Sequence, residues 1–445
     1  MKIETLKRSS LKRNIAIGVI VVLIISAIIL NFTRAKYRVT QSIPLVNGTI
    51  NYIPYDFKIM AMYQESDSGD YIEIDKMPSS GYNINEGKSY CEVNGEKDNS
   101  TVLKTINGNH TFANLQKGTK CYLYFDVNKQ ITNVQELIAS YTTVLTRDDF
   151  TIPVTNTTTG TIYKSANISQ YDNAGEVYYF AGNPTDNWVN FGGFYWRIIR
   201  INGDGTIRLI YQGTSANTTG SGTQIGTSAF NSSYDNNMYV GFKYTSGNVH
   251  GTGTNSTILN TLNIWYSNNL ASFADDIDGN AGFCGDRSST TSSSGAPNNT
   301  GGTGTLTTYY GARYRVDINM VPSFRCEFYS DLYTTSGSED GNRALTYPIG
   351  LITADEVVFA GSGADLSLFN NSYYLHTEQS YWTMSPSHFL NGHYAGVYLV
   401  GSFGYLDYSV GRVTNSYGVR PVINLKADIQ FSGGNGTSSN PYVVS

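Results

Sequence analysis

Charge is scarce in this chain. Only 15% of its 445 residues are Asp, Glu, Lys or Arg, and 30 basic side chains against 35 acidic ones leave a net charge of -5. So small an imbalance marks no polyanionic partner, and no basic run occurs beyond Arg38, so no nucleic acid partner is expected. Cysteine is sparse too: Cys91, Cys121, Cys284 and Cys326 are the whole complement. None stands in a CxxC or a Cys/His spacing of the zinc-binding kind, so no metal and no cofactor is expected. Long apolar runs are missing as well, with one exception.

That exception is Ile15 to Leu30, IAIGVIVVLIISAIIL, which carries no charge. At about 1.5 Å per residue it is roughly 24 Å long as a helix. Phe32 and snorkelling Lys and Arg side chains extend its reach towards a bilayer core. Lys2, Lys7, Arg8, Lys12 and Arg13 precede it, which keeps a tail of residues 1–14 in the cytoplasm. Arg34, Lys36 and Arg38 follow as a weaker cluster. Residues 15–32 are therefore expected to be a transmembrane helix and the contact with the membrane. The rival is a cleaved signal peptide, disfavoured by the length of the run and by the poor cleavage site Thr33-Arg34-Ala35. Either reading exports the remainder.

What is abundant agrees with export. Gly, Ser, Thr, Asn and 35 Tyr give a β-rich, loop-rich chain whose solubility comes from neutral polar groups. The expected fold class is α+β, mostly β. In an oxidising compartment the simplest pairing joins Cys91 to Cys121 and Cys284 to Cys326; the alternative is four buried free thiols. Residues 40–127 read as a small β-sandwich spacer, since YIPYDFKIMAMYQ, YIEIDKM, SYCEVNG and KCYLYFDV alternate in polarity between Gly/Asn/Asp clusters. Residues 128–161 read as a short helix and an exposed connector. Thr132 stands at capping-box spacing there, and Val134, Leu137, Ile138 and Tyr141 form one stripe.

Residues 162–445 form the second globular region. Its clearest element is a hairpin: Phe194–Ile201 turns at Asn202-Gly203-Asp204-Gly205 and returns as Thr206–Tyr211. Gly213 to Thr254 reads as mostly loop, Asn260 to Phe273 as a helix with Trp265 on its apolar face, and Ser288 to Thr308 as low-complexity and mobile. Thr353 caps a short helix with acids in its first turn. Strands follow at Tyr381–Met384, Ala395–Val400 and Gly418–Leu425, then a terminal hairpin of Asp428–Phe431 with Tyr442–Val444. Trp196, Trp265, Trp382 and Arg420 are expected in the framework, Arg420 pairing with Asp355 or Glu356.

The order FGGFYWRIIRI, NTLNIWY, LITADEVVFAG, YWTMSP, AGVYLV and GVRPVINL, followed by GNGTSSNPYVV, resembles one set of proteins. These are exported, membrane-anchored proteins of low-GC Gram-positive (Firmicutes) gut bacteria. They carry an uncharacterised C-terminal domain similar to C-type lectin-like and formylglycine-generating-enzyme-like folds. The resemblance spans Tyr179 to Leu425 and implies a C-type lectin-like α+β head on 162–445. Such folds serve sugar-binding lectins, formylglycine-generating enzymes and receptor-binding variable proteins, so function must be argued from the site.

The motifs of calcium-dependent lectins are absent: Ala296-Pro297-Asn298 lacks the acid, and Asn183 to Trp188 has the wrong order. Asp276-Ile277-Asp278-Gly279-Asn280 lacks the Gly and Glu of a calcium loop and reads as an acidic turn. No cysteine follows Cys326, so the close pair of formylglycine-generating enzymes is missing, and His388 and His393 are one residue too far apart for HxxxHxE. No catalytic residue is assigned, and the chain is read as a non-enzyme.

What remains is a surface. Ser387–Tyr394 and Ser402–Tyr408 fall between the final strands, where the resemblance implies ligand-facing loops. His388, His393, Tyr394, Phe403, Tyr405, Asp407 and Tyr408 are the expected ligand-binding residues, with Phe389 and Leu406 packing inward. The sequence thus reads as a single-pass cell-membrane protein, N-terminus cytoplasmic and the rest extracellular. Its expected role is binding or adhesion to a host or microbial glycan or surface protein. A structural envelope or pilus-like component, and an enzyme on the same fold, are the alternatives.

Overall fold

The computed structural model describes residues 43–45, 57–66, 69–78, 81–106, 109–127, 131–165, 175–335, 341–363, 369–409 and 411–444. The cytoplasmic tail 1–14 and the expected membrane helix 15–32 lie outside the described residues. Among the described residues no helix is long and apolar enough to cross a membrane. The chain divides into two compact units, residues 1–129 and 130–445. Strand exceeds helix, 34% to 14%, so the fold is mostly β with some α.

The smaller unit is built from β1 (Ile43–Leu45), β2 (Lys58–Glu65), β3 (Tyr71–Glu73), β4 (Tyr82–Ile84), β5 (Tyr90–Val93), β6 (Glu96–Lys97), β7 (Val102–Ile106), β8 (Asn109–Ala113) and β9 (Lys120–Val127). One sheet runs β1-β8-β7; the other runs β3-β2-β9-β5-β6, with β4 also on β9. Period-two alternation in KCYLYFDV turns Cys121, Leu123 and Phe125 inward, where they meet Ile84, Cys91, Leu103 and Phe112 in one core. Cys91 and Cys121 stand opposite each other in register on β5 and β9 and are bridged. Tyr90 stacks on Tyr122 at 4.8 Å and Tyr63 on Tyr124 at the same distance, adding cross-strand aromatic pairs to the bridge.

The larger unit begins before the expected head. Its first helix, Val134–Ala139, is capped by Asn133, one residue later than the sequence spacing suggests; Glu136 instead reaches back to the Thr132 amide at 2.8 Å. Val134 and Leu137 are fully buried, and Arg147 donates to the Val358 carbonyl at 2.6 Å. Apolar side chains at one-turn spacing were enough to dock the helix. The connector that follows is exposed or half-buried over 151–160, held by the Val154 amide donating to the Gly361 carbonyl at 3.1 Å, and is buried only at Thr161–Tyr163 on the next strand.

A nine-stranded sheet carries the core. It contains β10 (Thr143–Leu145), β11 (Thr161–Ser165), β12 (Val177–Tyr179), β13 (Trp188–Phe191), β14 (Phe194–Ile201) and β15 (Ile207–Gly213). β14 and β15 form the anticipated hairpin, closed by Asn202 N donating to Thr206 O at 2.9 Å. A second sheet of seven strands follows. Along the way the chain forms β16 (Thr227–Ala229), the ribbon β17 (Lys243–Tyr244) with β18 (Thr254–Asn255), and β19 (Phe283–Cys284), β20 (Ser289–Thr290), β21 (Thr308–Tyr310) and β22 (Leu332–Tyr333). The C-terminal third supplies β23 (Tyr381–Leu390), β24 (Tyr394–Val400), β25 (Leu406–Asp407), β26 (Ser416–Gly418), β27 (Val422–Leu425), β28 (Phe431–Gly433) and β29 (Tyr442–Val444). The second sheet runs β16-β26-β23-β21-β20, with β24 on the other edge of β23 and β25 beyond it. β27, β28 and β29 return to the first sheet.

The helix Thr257–Asn269 buries Ile258, Leu259, Leu262 and Tyr266 and is capped by Ser256. Trp265, on the same helix, packs partly buried against the core, 5.4 Å from Phe194. Trp196 and Trp382 are completely buried, as framework tryptophans should be. Cys284 and Cys326 are bridged. The Ser/Thr/Gly stretch from Ser288 is not a detached excursion: Ser288, Ser289, Thr290 and Thr308 are buried, and β20 pairs with β21. Its hydroxyls make this possible by taking up the polar groups that burial strands, as when Thr308 Oγ1 accepts from the Gly302 amide at 2.8 Å.

Among the described residues Arg420 pairs with no acid. Its guanidinium donates to the Tyr211 carbonyl, the Leu375 carbonyl and Gln212 Oε1, and lies 4.8 Å from the Tyr381 ring. The acids near the capped helix are taken by other arginines. Glu356 Oε1 meets Arg208 Nε at 2.5 Å and Arg200 Nε at 3.1 Å, and Asp355 receives a two-pronged contact from Arg315 at 2.8 Å.

Candidate functional site

The expected binding residues do not form one surface. They separate along β24, whose six steps from Tyr394 to Val400 span about 20 Å at about 3.3 Å per residue. His388, Tyr394 and Tyr408 gather towards one end, and Phe403 and Tyr405 stand at the other.

The first group is set by strand register. Tyr309 on β21 is the partner of His388 on β23; His388 is the partner of Gly396 on β24; Gly396 bridges to Arg412 on the following segment. Residues in register share a face, so Tyr309, His388, Gly396 and Arg412 form one row across four adjacent segments. Tyr394, two residues before Gly396, projects from the same face and lies 5.1 Å from the His388 ring. The Tyr408 ring is 5.8 Å from His388 on another side. Arg313 covers Tyr408 at 4.4 Å and Tyr309 at 5.4 Å, while Arg412 covers Tyr394 at 5.4 Å and Tyr234 at 4.6 Å. Rings and guanidiniums therefore alternate around one histidine.

His388 belongs to a strand, contrary to its expected place on an exposed loop, because β23 continues through Leu390 before turning. It is only 3% exposed. Nδ1 meets Ser387 Oγ at 3.1 Å, whereas the buried Nε2 finds no hydrogen-bond partner among the described residues. Burial, reinforced by the Arg313 charge, lowers its pKa to about 4, so the ring is neutral at physiological pH. Tyr309, Arg313, Tyr394, Tyr408 and Arg412 are half-buried and form the rim. Asp317 accepts from the Tyr398 hydroxyl at 2.6 Å and stands 3.9 Å from Arg313.

The second group is plainly apolar. Phe403 is 63% exposed and Phe369 64%, with ring centroids 6.1 Å apart; Tyr405 completes the set 5.1 Å from Phe369. Gly404 fixes this turn: its positive φ of 78° and its approach to the Asn370 carbonyl leave no room for a side chain.

His393 stands apart from both groups, and Asp407 touches the second through the Tyr405 hydroxyl. His393 is exposed in the β23–β24 turn; its carbonyl accepts from Arg412 at 2.9 Å and its amide donates to the Leu390 carbonyl at 2.9 Å. Asp407 is buried, and its Oδ1 accepts from the Ser409 amide at 2.6 Å and hydroxyl at 2.7 Å. A carboxylate so engaged stiffens a turn and has little left for a ligand. Phe389 and Leu406 pack inward as expected.

No family model, curated protein or solved structure matches the chain. The site must therefore speak for itself. Among the described residues no group of three or more His, Cys, Asp or Glu could hold a metal ion. The Arg200/Arg208/Arg315 cluster with Glu356, Asp355 and Asp286 encloses about 20 Å³, room for about one water. A wider groove of about 420 Å³ is floored by Phe150, Tyr179 and Phe359. Its cations are committed, Arg147 to backbone carbonyls and Lys164 to Glu176 at 2.9 Å. Among the described residues the histidine row combines ring faces with arginine donors on a half-buried rim.

Sequence reasoning named His388, Tyr394 and Tyr408, which the structure brings together, but not Tyr234, Tyr309, Arg313 and Arg412 beside them. The run Tyr309-Tyr310-Gly311-Ala312-Arg313 was a usable signal, an aromatic and basic cluster closing a Ser/Thr/Gly stretch. Its proximity to His388 depends on strand pairing that no local pattern carries.

Proposed function

We propose that the chain is a non-catalytic binding or adhesion protein, displayed outside the cell on a single N-terminal membrane helix. Its larger unit, a C-type lectin-like head in this reading, meets a host or microbial glycan or surface protein. The observation that carries the reading is the ring of Tyr309, Tyr394 and Tyr408 around neutral His388, with Arg313 and Arg412 at its margins. Tyrosine presents rigid amphipathic area at low entropic cost, and its face suits the apolar side of a sugar ring. The smaller unit, cross-linked by Cys91–Cys121, acts as a spacer between membrane and head.

The test is a glycan, mucin and surface-protein binding screen of residues 130–445. Changing Tyr394 and Tyr408 together to Ala should abolish the signal, and changing Phe403 and Tyr405 together should leave most of it. The reverse result would move the site to the other end of β24. A blank screen with folded protein would count against binding altogether.

A further inference from the structure

Resting on that binding reading, we infer that the ligand of the histidine row is an acidic sugar, one bearing a carboxylate or a sulfate beside its hydroxyls. The row spans four segments, about 14 Å at about 4.8 Å per strand spacing, which accommodates a short oligosaccharide rather than a single small ion. Its two ends differ in chemistry from its middle. Arg313 stands on one side and Arg412 on the other, and the tyrosines and a neutral imidazole lie between them.

Arg313 is only loosely paired: Nη1 stands 3.9 Å from the Asp317 carboxylate one helical turn on, Nε reaches the Ser293 carbonyl at 3.4 Å, and the guanidinium also bonds the Tyr408 hydroxyl. Arg412 donates from Nη2 to the His393 carbonyl and has no carboxylate partner among the described residues. The acids nearest the row are shared with other groups, Asp317 with the Tyr398 hydroxyl as well as Arg313, and Asp407 with Ser409 and the Tyr405 hydroxyl. A guanidinium has five N–H donors in a planar fork that matches a carboxylate or sulfate edge, so both arginines keep capacity for an anion. Each already lies over tyrosine rings, which holds the fork in place before any ligand arrives.

The middle of the row is suited to a sugar's neutral part. The absence of a side chain at Gly396 lets His388 lie close against β24, with its Nε2 buried beneath the rim. A sugar would therefore meet the row through the half-buried tyrosines and arginines of that rim. The flanking Tyr394 and Tyr408 rings offer faces for the ring carbons. A long polyanion is a poorer fit, because the chain as a whole is net negative.

The experiment titrates the immobilised full chain with four probes: hyaluronan oligosaccharides, their carboxyl-reduced derivatives, heparin fragments and neutral dextran. The acidic probes should bind. Carboxyl reduction should weaken binding on the order of tenfold, as expected for loss of a charge-assisted contact. Binding should also weaken as salt rises from about 0.05 to about 0.5 M. Arg313→Gln and Arg412→Gln should each lower affinity for the acidic probes and leave the far-ultraviolet spectrum unchanged. The wild-type comparison of native with carboxyl-reduced probe holds even where a variant fails to fold. Equal binding of neutral and acidic probes would overturn the acidic-sugar inference and leave the binding reading standing. Acidic binding indifferent to both arginine variants would overturn the assignment to this row. Absence of binding to all four probes would also overturn the inference, and the broader screen then decides the fate of the binding reading separately.

Discussion

Gly396 faces His388 across the β23–β24 ladder, and a Cβ on that glycine would lie 2.9 Å from Ser387 Oγ and 3.2 Å from His388 Cε1. Glycine inside a strand ordinarily weakens it, so replacement by Ala at an unstrained site would stabilise. Here the sign reverses. Ser387 is fully buried and bonded to His388 Nδ1, so the pair has no free direction in which to move. Gly396→Ala should cost about 1–3 kcal/mol, the range of overpacking, and should displace the imidazole from the row. Urea denaturation reads the first effect and ligand titration the second. A variant more stable than the parent would refute the tight fit.

The depressed pKa of His388 links stability to pH. The ordinary value is 6.5 and the folded value about 4, so the unfolded chain binds a proton in that interval and the folded chain does not. The contribution is present above pH 6.5 and is lost as pH falls through about 4. Its size is about 3 kcal/mol at about 1.4 kcal/mol per unit. His388→Gln should remove this part of the pH dependence, whereas carboxylates such as Glu356 continue to contribute theirs. The measurement is the difference between parent and variant in unfolding free energy at pH 7 and pH 4. An equal fall in both proteins would show that His388 titrates normally in the folded state.

Much of the framework was legible in the sequence because it is local. The hairpin β14–β15 is written in alternating β-branched and aromatic residues around NGDG, and the Thr353 cap in its spacing from Glu356. The pairing of Cys91 with Cys121 follows from two strand patterns close in sequence. The histidine row was only half legible, because His388 meets Tyr309 and Arg412 through register between distant segments. Arg420 was misassigned for a related reason. An arginine can be satisfied by carbonyls as well as by acids, and the carbonyls of Tyr211 and Leu375 carry no mark in the sequence.

Glu356 is the residue whose loss the larger unit should tolerate least. Its Oε1 is shared by Arg200 and Arg208, and its Oε2 closes the capping box with the Thr353 amide at 2.9 Å. All three charged side chains are at most 4% exposed. Burial alone would raise the carboxyl pKa, but the Arg208 and Arg200 charges outweigh it and hold it below the ordinary value. Its stabilisation is therefore present above about pH 4.5 and lost as pH falls through the lower folded value. Glu356→Gln leaves two buried guanidiniums without their counter-charge, and should cost about 3–5 kcal/mol at pH 7. Equilibrium denaturation decides it: a loss below about 1 kcal/mol would mean that the arginines find other partners.

The two disulfides should act on separate transitions. Cys91–Cys121 closes a separation of 30 residues inside the smaller unit, and Cys284–Cys326 one of 42 inside the larger. Loop-closure entropy assigns each bridge about 3–4 kcal/mol against its own unfolded state, with only a slight advantage to the longer loop. The smaller core, gathered around Ile84, Leu103, Phe112, Leu123 and Phe125, has little apolar area beyond its bridge, so it should feel the loss more. Changing Cys91 and Cys121 together to Ser should lower the melting temperature of one calorimetric transition and leave the other in place. The Cys284/Cys326 double variant should do the opposite. If either double variant shifts both transitions equally, the units fold as one cooperative block and the bridges cannot be treated independently.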